Sequence, residues 1–228
     1  MDLLEGLATT RAIRRYTDEP VTDEDLATIM FAATRAPSGS NRQAFRFLML
    51  RDGPRAQVAR RLLGEAARRM WLGKSAMDGY AEGSGADPDS PKARMARTMQ
   101  HYAEHFAEAP VIVLVCLARY REANPFEGAS VYPAAQNLLL AARSIGLGGV
   151  LTGVQQLAGD GLREALAVPD GVALHATITL GHPAGRHGPV RRRPVRELVY
   201  EDGWGQEAAW AVDPPGTRFT QAGPPRSR

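Results

Sequence analysis

The sequence predicts a mixed α and β fold, and three observations carry that reading. Helical and extended pieces alternate along the chain, turn-rich stretches divide them, and the apolar run Val111-Ile112-Val113-Leu114-Val115-Cys116-Leu117 has the length of a buried strand. The 228 residues are 44% hydrophobic and 23% charged. That composition is globular and excludes a disordered chain or a disulfide scaffold. Lys plus Arg number 28 against 25 Asp plus Glu, a formal charge of +3. The basic residues are interspersed with acids except at Arg191-Arg192-Arg193 and Arg196, with no interleaved aromatics, so nothing suggests a nucleic-acid partner. Cys116 has no second cysteine to pair with and reads as an inert buried thiol in a reducing compartment. No apolar stretch reaches the ~18 residues of a membrane helix. Met1-Asp2-Leu3 opens no signal peptide, so a cytoplasmic protein is expected.

A short helix precedes Arg11. Thr22-Asp23-Glu24-Asp25 is a helix start with an acid three residues after the threonine, and Leu26, Ile29, Met30 and Ala33 follow at helical spacing. That helix should end before Pro37. Phe45 to Leu50 reads as a strand, and Pro54 opens a long helix with Val58, Leu62, Ala66 and Met70 inward. Gly83 to Pro91 has loop composition. From Lys92 to Glu108, Met95, Met99, Tyr102 and Phe106 form one helical face, stopped by Pro110 before the apolar strand. A second strong helix is expected from Ser130 as N-cap, with Pro133 in its first turn, through Leu138, Leu139 and Ala142 to Gly146. It carries so little charge that it should be central, beneath a sheet or against a partner subunit. Ala173 to Leu180 is the last strand, and the tail after Gly203 is Pro/Gly-rich without periodicity.

Four segments offer chemistry. Arg11-Ala12-Ile13-Arg14-Arg15-Tyr16 presents guanidinium forks that suit a phosphate, or else a solvated basic turn. Ala36-Pro37-Ser38-Gly39-Ser40-Asn41-Arg42-Gln43 is a loop rich in hydrogen-bonding side chains, able to read the edge of a polar ring or to serve as a cap and turn. Gly146-Leu147-Gly148-Gly149-Val150-Leu151-Thr152-Gly153 lacks both the Rossmann spacing and the lysine of a P-loop. Its glycines permit close approach, either of a flat ligand or of a helix end passing into a strand. Arg191-Arg192-Arg193-Pro194 would add cations if it converges with Arg11 and Arg14. Two further patterns compete. His101-Tyr102-Ala103-Glu104-His105 matches an inverted zincin motif, and Ala142-Arg143-Ser144-Ile145-Gly146 grazes a nucleophile elbow whose serine ends a helix instead of following a strand.

In this order and spacing the four segments resemble the nitroreductase family of FMN-dependent oxidoreductases, over roughly Leu3 to Tyr200. The opening arginine segment matches with Thr10 and Ala12 in place of an arginine and a serine. The Ala-Pro-Ser loop matches with Ala44-Phe45 where Pro-Trp is usual. Tyr132 to Ala142 with Gly146-Leu147-Gly148 is similar to the family's central dimer helix and its turn, and Arg192-Arg193-Pro194-Val195-Arg196-Glu197-Leu198 to its closing segment. The resemblance implies an α+β sandwich, a mostly antiparallel sheet with helices on both faces, in a domain-entwined homodimer binding FMN at the subunit interface. It assigns the cofactor to Arg11, Ala12, Arg14, Arg15, Ser38, Asn41, Gln43, Leu151, Thr152, Gly153, Arg192 and Arg193. The implied activity is ping-pong transfer of hydride from NADH or NADPH, through flavin N5, to a nitroaromatic, quinone or similar acceptor, with no protein nucleophile. The FMN-binding domain would span 1–205, with a helical lid at about 63–108 and a tail at 206–228. Lid residues that select substrate, and a preference between the coenzymes, are not legible. The alternatives are a flavin-binding sensor or storage protein, and a zinc hydrolase on His101, Glu104 and His105.

Overall fold

The computed structural model describes residues 1–215 and 217, in two compact units: Ala12–Arg186, and Met1–Arg11 with the chain from His187 onward. The last part of the expected tail lies outside the described residues. The smaller unit contains helix α1 (Leu3–Thr9), whose first turn is capped by the Asp2 carboxylate accepting from the Leu4 and Glu5 amides.

The larger unit is built on β1 (Phe45–Leu50), β2 (Val111–Ala118), β3 (Gly148–Thr152) and β4 (Val172–Gly181), in the order β1-β2-β4-β3 and antiparallel throughout. Side chains alternate across β2. Val111, Val113, Val115 and Leu117 join one core with α2 (Asp23–Ala33) and α5 (Glu127–Ser144). Ile112, Leu114 and Cys116 join a second with α3 (Pro54–Met77), α4 (Pro91–Glu104) and α6 (Gln155–Leu166). A strand buried on both faces must be apolar at every position, which is why β2 is legible as an unbroken run. The helices on both faces of an antiparallel sheet agree with the expected α+β sandwich.

Thr22 caps α2 as its spacing suggests, its hydroxyl accepting from the Asp25 amide and its own amide donating to the Asp25 carboxylate, each at 3.0 Å. The inward face of α3 differs from expectation. Ala59, Leu63, Ala66 and Ala67 are buried, whereas Val58 is 37% exposed. The cause is Arg60, which reaches inward to the carbonyls of Leu50, Ala107, Ala109 and Pro110 at the end of the sheet. Residues two apart on a helix lie nearly opposite, so seating Arg60 turns Val58 out. In α4, Tyr102 is buried, but Met95 is exposed and the helix closes at Glu104, before a 3-10 turn at Phe106–Glu108.

Helix α5 starts at Glu127, three residues ahead of the expected cap at Ser130. Its first turn is secured by the Glu127 amide donating to the Asn124 carbonyl and by Arg119 bridging the Glu127 carboxylate. Ser130 is therefore inside the helix, where its hydroxyl accepts from the Gly39 amide at 3.1 Å. Helix α6 was not expected from the sequence, although Val154, Ala158, Leu162 and Leu166 recur at helical spacing and pack into one core, and Gly159, at φ +66°, interrupts its helical geometry midway.

Burial pushes the Cys116 thiol up to about 12. The folded protein should therefore resist iodoacetamide at pH 8 and label rapidly in denaturant, followed by mass spectrometry. Fast labelling of the folded chain would contradict the packing of β2 against α3 and α6.

Candidate flavin-binding corners of the sheet

The segment from Ala12 to Tyr16 is fastened to the edge of the sheet where β3 begins and β4 ends. The Ile13 amide donates to the Gly149 carbonyl at 3.0 Å, the Thr17 amide to His182 at 2.9 Å and the Ala184 amide to the Arg15 carbonyl at 3.0 Å. One glycine, Gly181, makes this approach feasible, and another, Gly149, lets β3 lie close against β4. A Cβ on Gly149 would sit 2.5 Å from the Thr179 carbonyl oxygen, and one on Gly181 would sit 2.9 Å from the Tyr16 ring. The close approach anticipated for the Gly146–Gly153 run is thus made to the neighbouring strand, while Gly146, at φ +88°, ends α5. Beneath the segment, the Tyr16 hydroxyl meets the Thr179 hydroxyl at 2.7 Å and donates to the Ile13 or Thr179 carbonyl, and Tyr102 shares the Thr179 hydroxyl at 2.9 Å. Burial raises both phenols, so they remain neutral struts.

On this frame Arg14 and Arg15 line a cleft of about 210 Å³ with Asp18, His101, Tyr102, His105 and Glu108. Burial, then the charges of His105 and Arg15, lower the His101 pKa. The cleft sets two guanidiniums against two carboxylates, Asp18 and Glu108, the latter 2.7 Å from His105 Nδ1. Leu151, Thr152 and Gly153 follow along the same edge. Leu151 is exposed and Thr152 and Gly153 partly so, leaving this end of β3 open to a ligand.

Ser38, Asn41 and Gln43 occupy the other end of the sheet. Ser40, Asn41 and Gln43 have φ of 52°, 51° and 50°, left-handed values that non-glycine residues adopt at a cost. The loop is held by the Gln43 amide donating to the Ser38 hydroxyl at 2.8 Å and the Gln43 side-chain amide donating to Asn41 Oδ1 at 3.2 Å. Asn41 and Gln43 remain exposed. The loop enters β1 at Phe45, opposite Leu117, which in turn faces Ala173 at the start of β4. The arginine segment lies against Gly149 and Pro183, past the far end of β4. Eight residues along β4 and three strand spacings across the sheet separate the two by about 30 Å. Within one chain Ile13, beside Arg14, is bonded to Gly149 at the head of the strand that carries Leu151 and Thr152, whereas Ser38, Asn41 and Gln43 lie at the other end of the sheet.

In the smaller unit, the Gly188 and Val190 amides donate to the Thr9 and Ala8 carbonyls, and the Arg11 amide to His187 Nδ1. Residues 187–190 therefore run alongside 8–11, and the chain continues directly into Arg191, Arg192 and Arg193. Arg192 is exposed and Arg193 half-buried.

The inverted zincin pattern does not assemble as a metal site. His105 is engaged by Glu108, Glu104 accepts from the Gln100 amide, and no group of three His, Cys, Asp or Glu side chains suited to a metal occurs among the described residues. Ser144 lies at the end of α5, its hydroxyl donating to the Ala141 carbonyl. Sequence reasoning missed that His101 and His105 share the Arg14 cleft. It also missed a second cleft, of about 270 Å³, lined by Ser38, Arg42, Arg119 and Arg121. The available signal was Arg119-Tyr120-Arg121, a charged cluster directly after the buried strand.

A model described as the nitroreductase family matches residues 7–182. A curated NADPH-flavin oxidoreductase of Vibrio harveyi is 27% identical over 87% of this chain and 73% of its own length. An NADH dehydrogenase of Thermus thermophilus is 29% identical over 83% and 90%. Among solved structures, a nitroreductase in complex with FMN from Desulfovibrio desulfuricans is 32% identical, covers 90% of this chain and 98% of that one, and superposes with a TM-score of 0.65. With the antiparallel sandwich already in place, a match over most of the chain leads to one assignment: the chain belongs to the nitroreductase family.

Proposed function

We propose that this chain is an FMN-dependent NAD(P)H oxidoreductase acting on small acceptors such as nitroaromatics or quinones, and that each flavin site is built by two copies of it. The observation that carries the reading is the separation of the Arg14 segment from the Ser38 loop by about 30 Å within one chain. Arg14 and Arg15 supply cations for a phosphate, and Leu151–Gly153 supply a strip of exposed strand end for a flat ring. Ser38, Asn41 and Gln43, at the opposite corner, can reach that ring only from a second subunit. Phe31 on α2 and Tyr132 on α5 are exposed large hydrophobics that a partner would cover, which supports the same arrangement. Arg11, Arg192 and Arg193 are further candidates for holding the phosphate.

The residues fit the cofactor by charge and by type. Guanidinium forks match a dianionic phosphate, and amide and hydroxyl groups match the polar edge of the ring. When bound, FMN supplies hydride acceptance and donation at N5. The protein's part is to hold the phosphate, orient the ring and leave one face open. The candidate residues include no nucleophile poised by an adjacent base.

The test is the visible spectrum of the purified protein, with identification of any released chromophore and anaerobic addition of NADH or NADPH. Bound FMN that bleaches and is reoxidised by an added quinone supports the reading. A colourless protein that takes up no added FMN overturns it.

A further inference from the structure

The second cleft, beside the Ser38–Gln43 loop, is lined by Ser38 and Gly39, by Ser130 of α5, and by the side chains of Arg42, Arg119 and Arg121. Arg42 and Arg121 lie 4.4 and 5.3 Å from the ring centroid of the half-exposed Tyr120, which also lines the cleft. One carboxylate faces this group, that of Glu127, and both its oxygens are engaged by Arg119 at 2.8 and 3.0 Å. His175 lies 3.4 Å from the same carboxylate. Hydrogen bonding from Arg119 holds the Glu127 carboxyl below its usual range, so it stays ionised and committed. Among the described residues, neither Arg42 nor Arg121 is paired with a carboxylate. The cleft therefore has one internally neutralised ion pair and two guanidiniums with charge to spare.

Given the reading above, Ser38 abuts the flavin, and the adenosine end of a visiting nicotinamide coenzyme must extend from the ring over adjoining surface. We infer that this cleft binds the 2′-phosphate of NADPH and makes the enzyme prefer NADPH to NADH. Sites that take NADH characteristically offer a carboxylate to the ribose 2′-hydroxyl, whereas a nearby arginine accommodates the 2′-phosphate. Glu127 is already occupied, and Arg42 and Arg121 are planar forks suited to a phosphomonoester dianion.

The experiment uses flavin-loaded protein, with kcat/KM measured for NADPH and NADH in the wild type, Arg42→Ala, Arg121→Ala and the double variant. Adenosine 2′,5′-bisphosphate and AMP are titrated by calorimetry as probes independent of turnover. The wild type should prefer NADPH. Each single variant should lose about tenfold in kcat/KM for NADPH, and the double variant about 100-fold, the scale of charge-assisted hydrogen bonds. Turnover with NADH should be unchanged, and adenosine 2′,5′-bisphosphate should lose affinity in parallel while AMP does not. Arg121→Lys should recover part of the loss. Equal losses with both coenzymes, or a wild type that uses them equally, would overturn the coenzyme site while leaving the flavin reading intact. A wild type that takes up no FMN fails at the earlier step.

Discussion

Changing Arg11 and Arg192 together to alanine is expected to give a folded protein that purifies without FMN. Both residues are proposed to hold the phosphate, and both belong to the smaller unit, where residues 187–190 run beside 8–11. A hydrogen bond to a charged group contributes about 1.5–3 kcal/mol. Losing two should weaken FMN binding by about 10²- to 10⁴-fold, at about 1.4 kcal/mol per decade. The hydrogen bond from the Arg11 amide to His187 is a backbone bond and survives the substitution. Fluorescence titration with FMN measures the affinity, and thermal melts of the flavin-free proteins check the fold. An affinity equal to the wild type would remove both arginines from the phosphate site.

The second large effect concerns two chains. Arg14→Ala and the double variant Asn41→Ala/Gln43→Ala should each bind FMN poorly, because they damage opposite halves of every site. Co-expressed with different tags and purified through both, the mixed dimer should recover one intact site of two, about half a flavin per chain. One chain then supplies Arg14 and Leu151–Gly153, and the other Asn41 and Gln43. The stoichiometry follows from the two-fold closure of a dimer, in which each defect falls in the same site of the mixed pair and spares the other. Failure to recover flavin, with the mixed dimer verified by mass, would mean that both halves act within one subunit. It would then require the sheet to bring together corners about 30 Å apart.

How much of this was readable from the sequence depended on whether local rules or packing had the last word. Thr22 to Asp25 specified the α2 cap through bonds spanning three residues, and the β2 run specified a strand buried on both faces. Phe45–Leu50 was likewise legible to the residue. The face of α3 was not, because Arg60 is seated by carbonyls from β1 and from the chain before β2, which no periodicity of α3 contains. The start of α5 was misplaced for a similar reason, since the salt bridge from Arg119 to Glu127 secures a first turn that carries no capping side chain. The pattern of α6 was present in Val154, Ala158, Leu162 and Leu166, but three glycines, at 153, 159 and 161, gave its segment the composition of a turn.

The candidate site divides the same way. The sequence by itself determined which groups are available, because arginine forks, an amide-rich loop and a glycine-rich turn are properties of side chains and short segments. Only the tertiary structure decided their grouping. The order β1-β2-β4-β3 puts the Ser38 loop and the Arg14 segment at opposite corners, and brings the two histidines of the apparent zinc motif beside Arg14. It also gathered Arg42, Arg119 and Arg121, from two separate loops, around one cleft. Strand order is set by burial of both sheet faces against five helices, a sum over the whole chain that no local motif encodes.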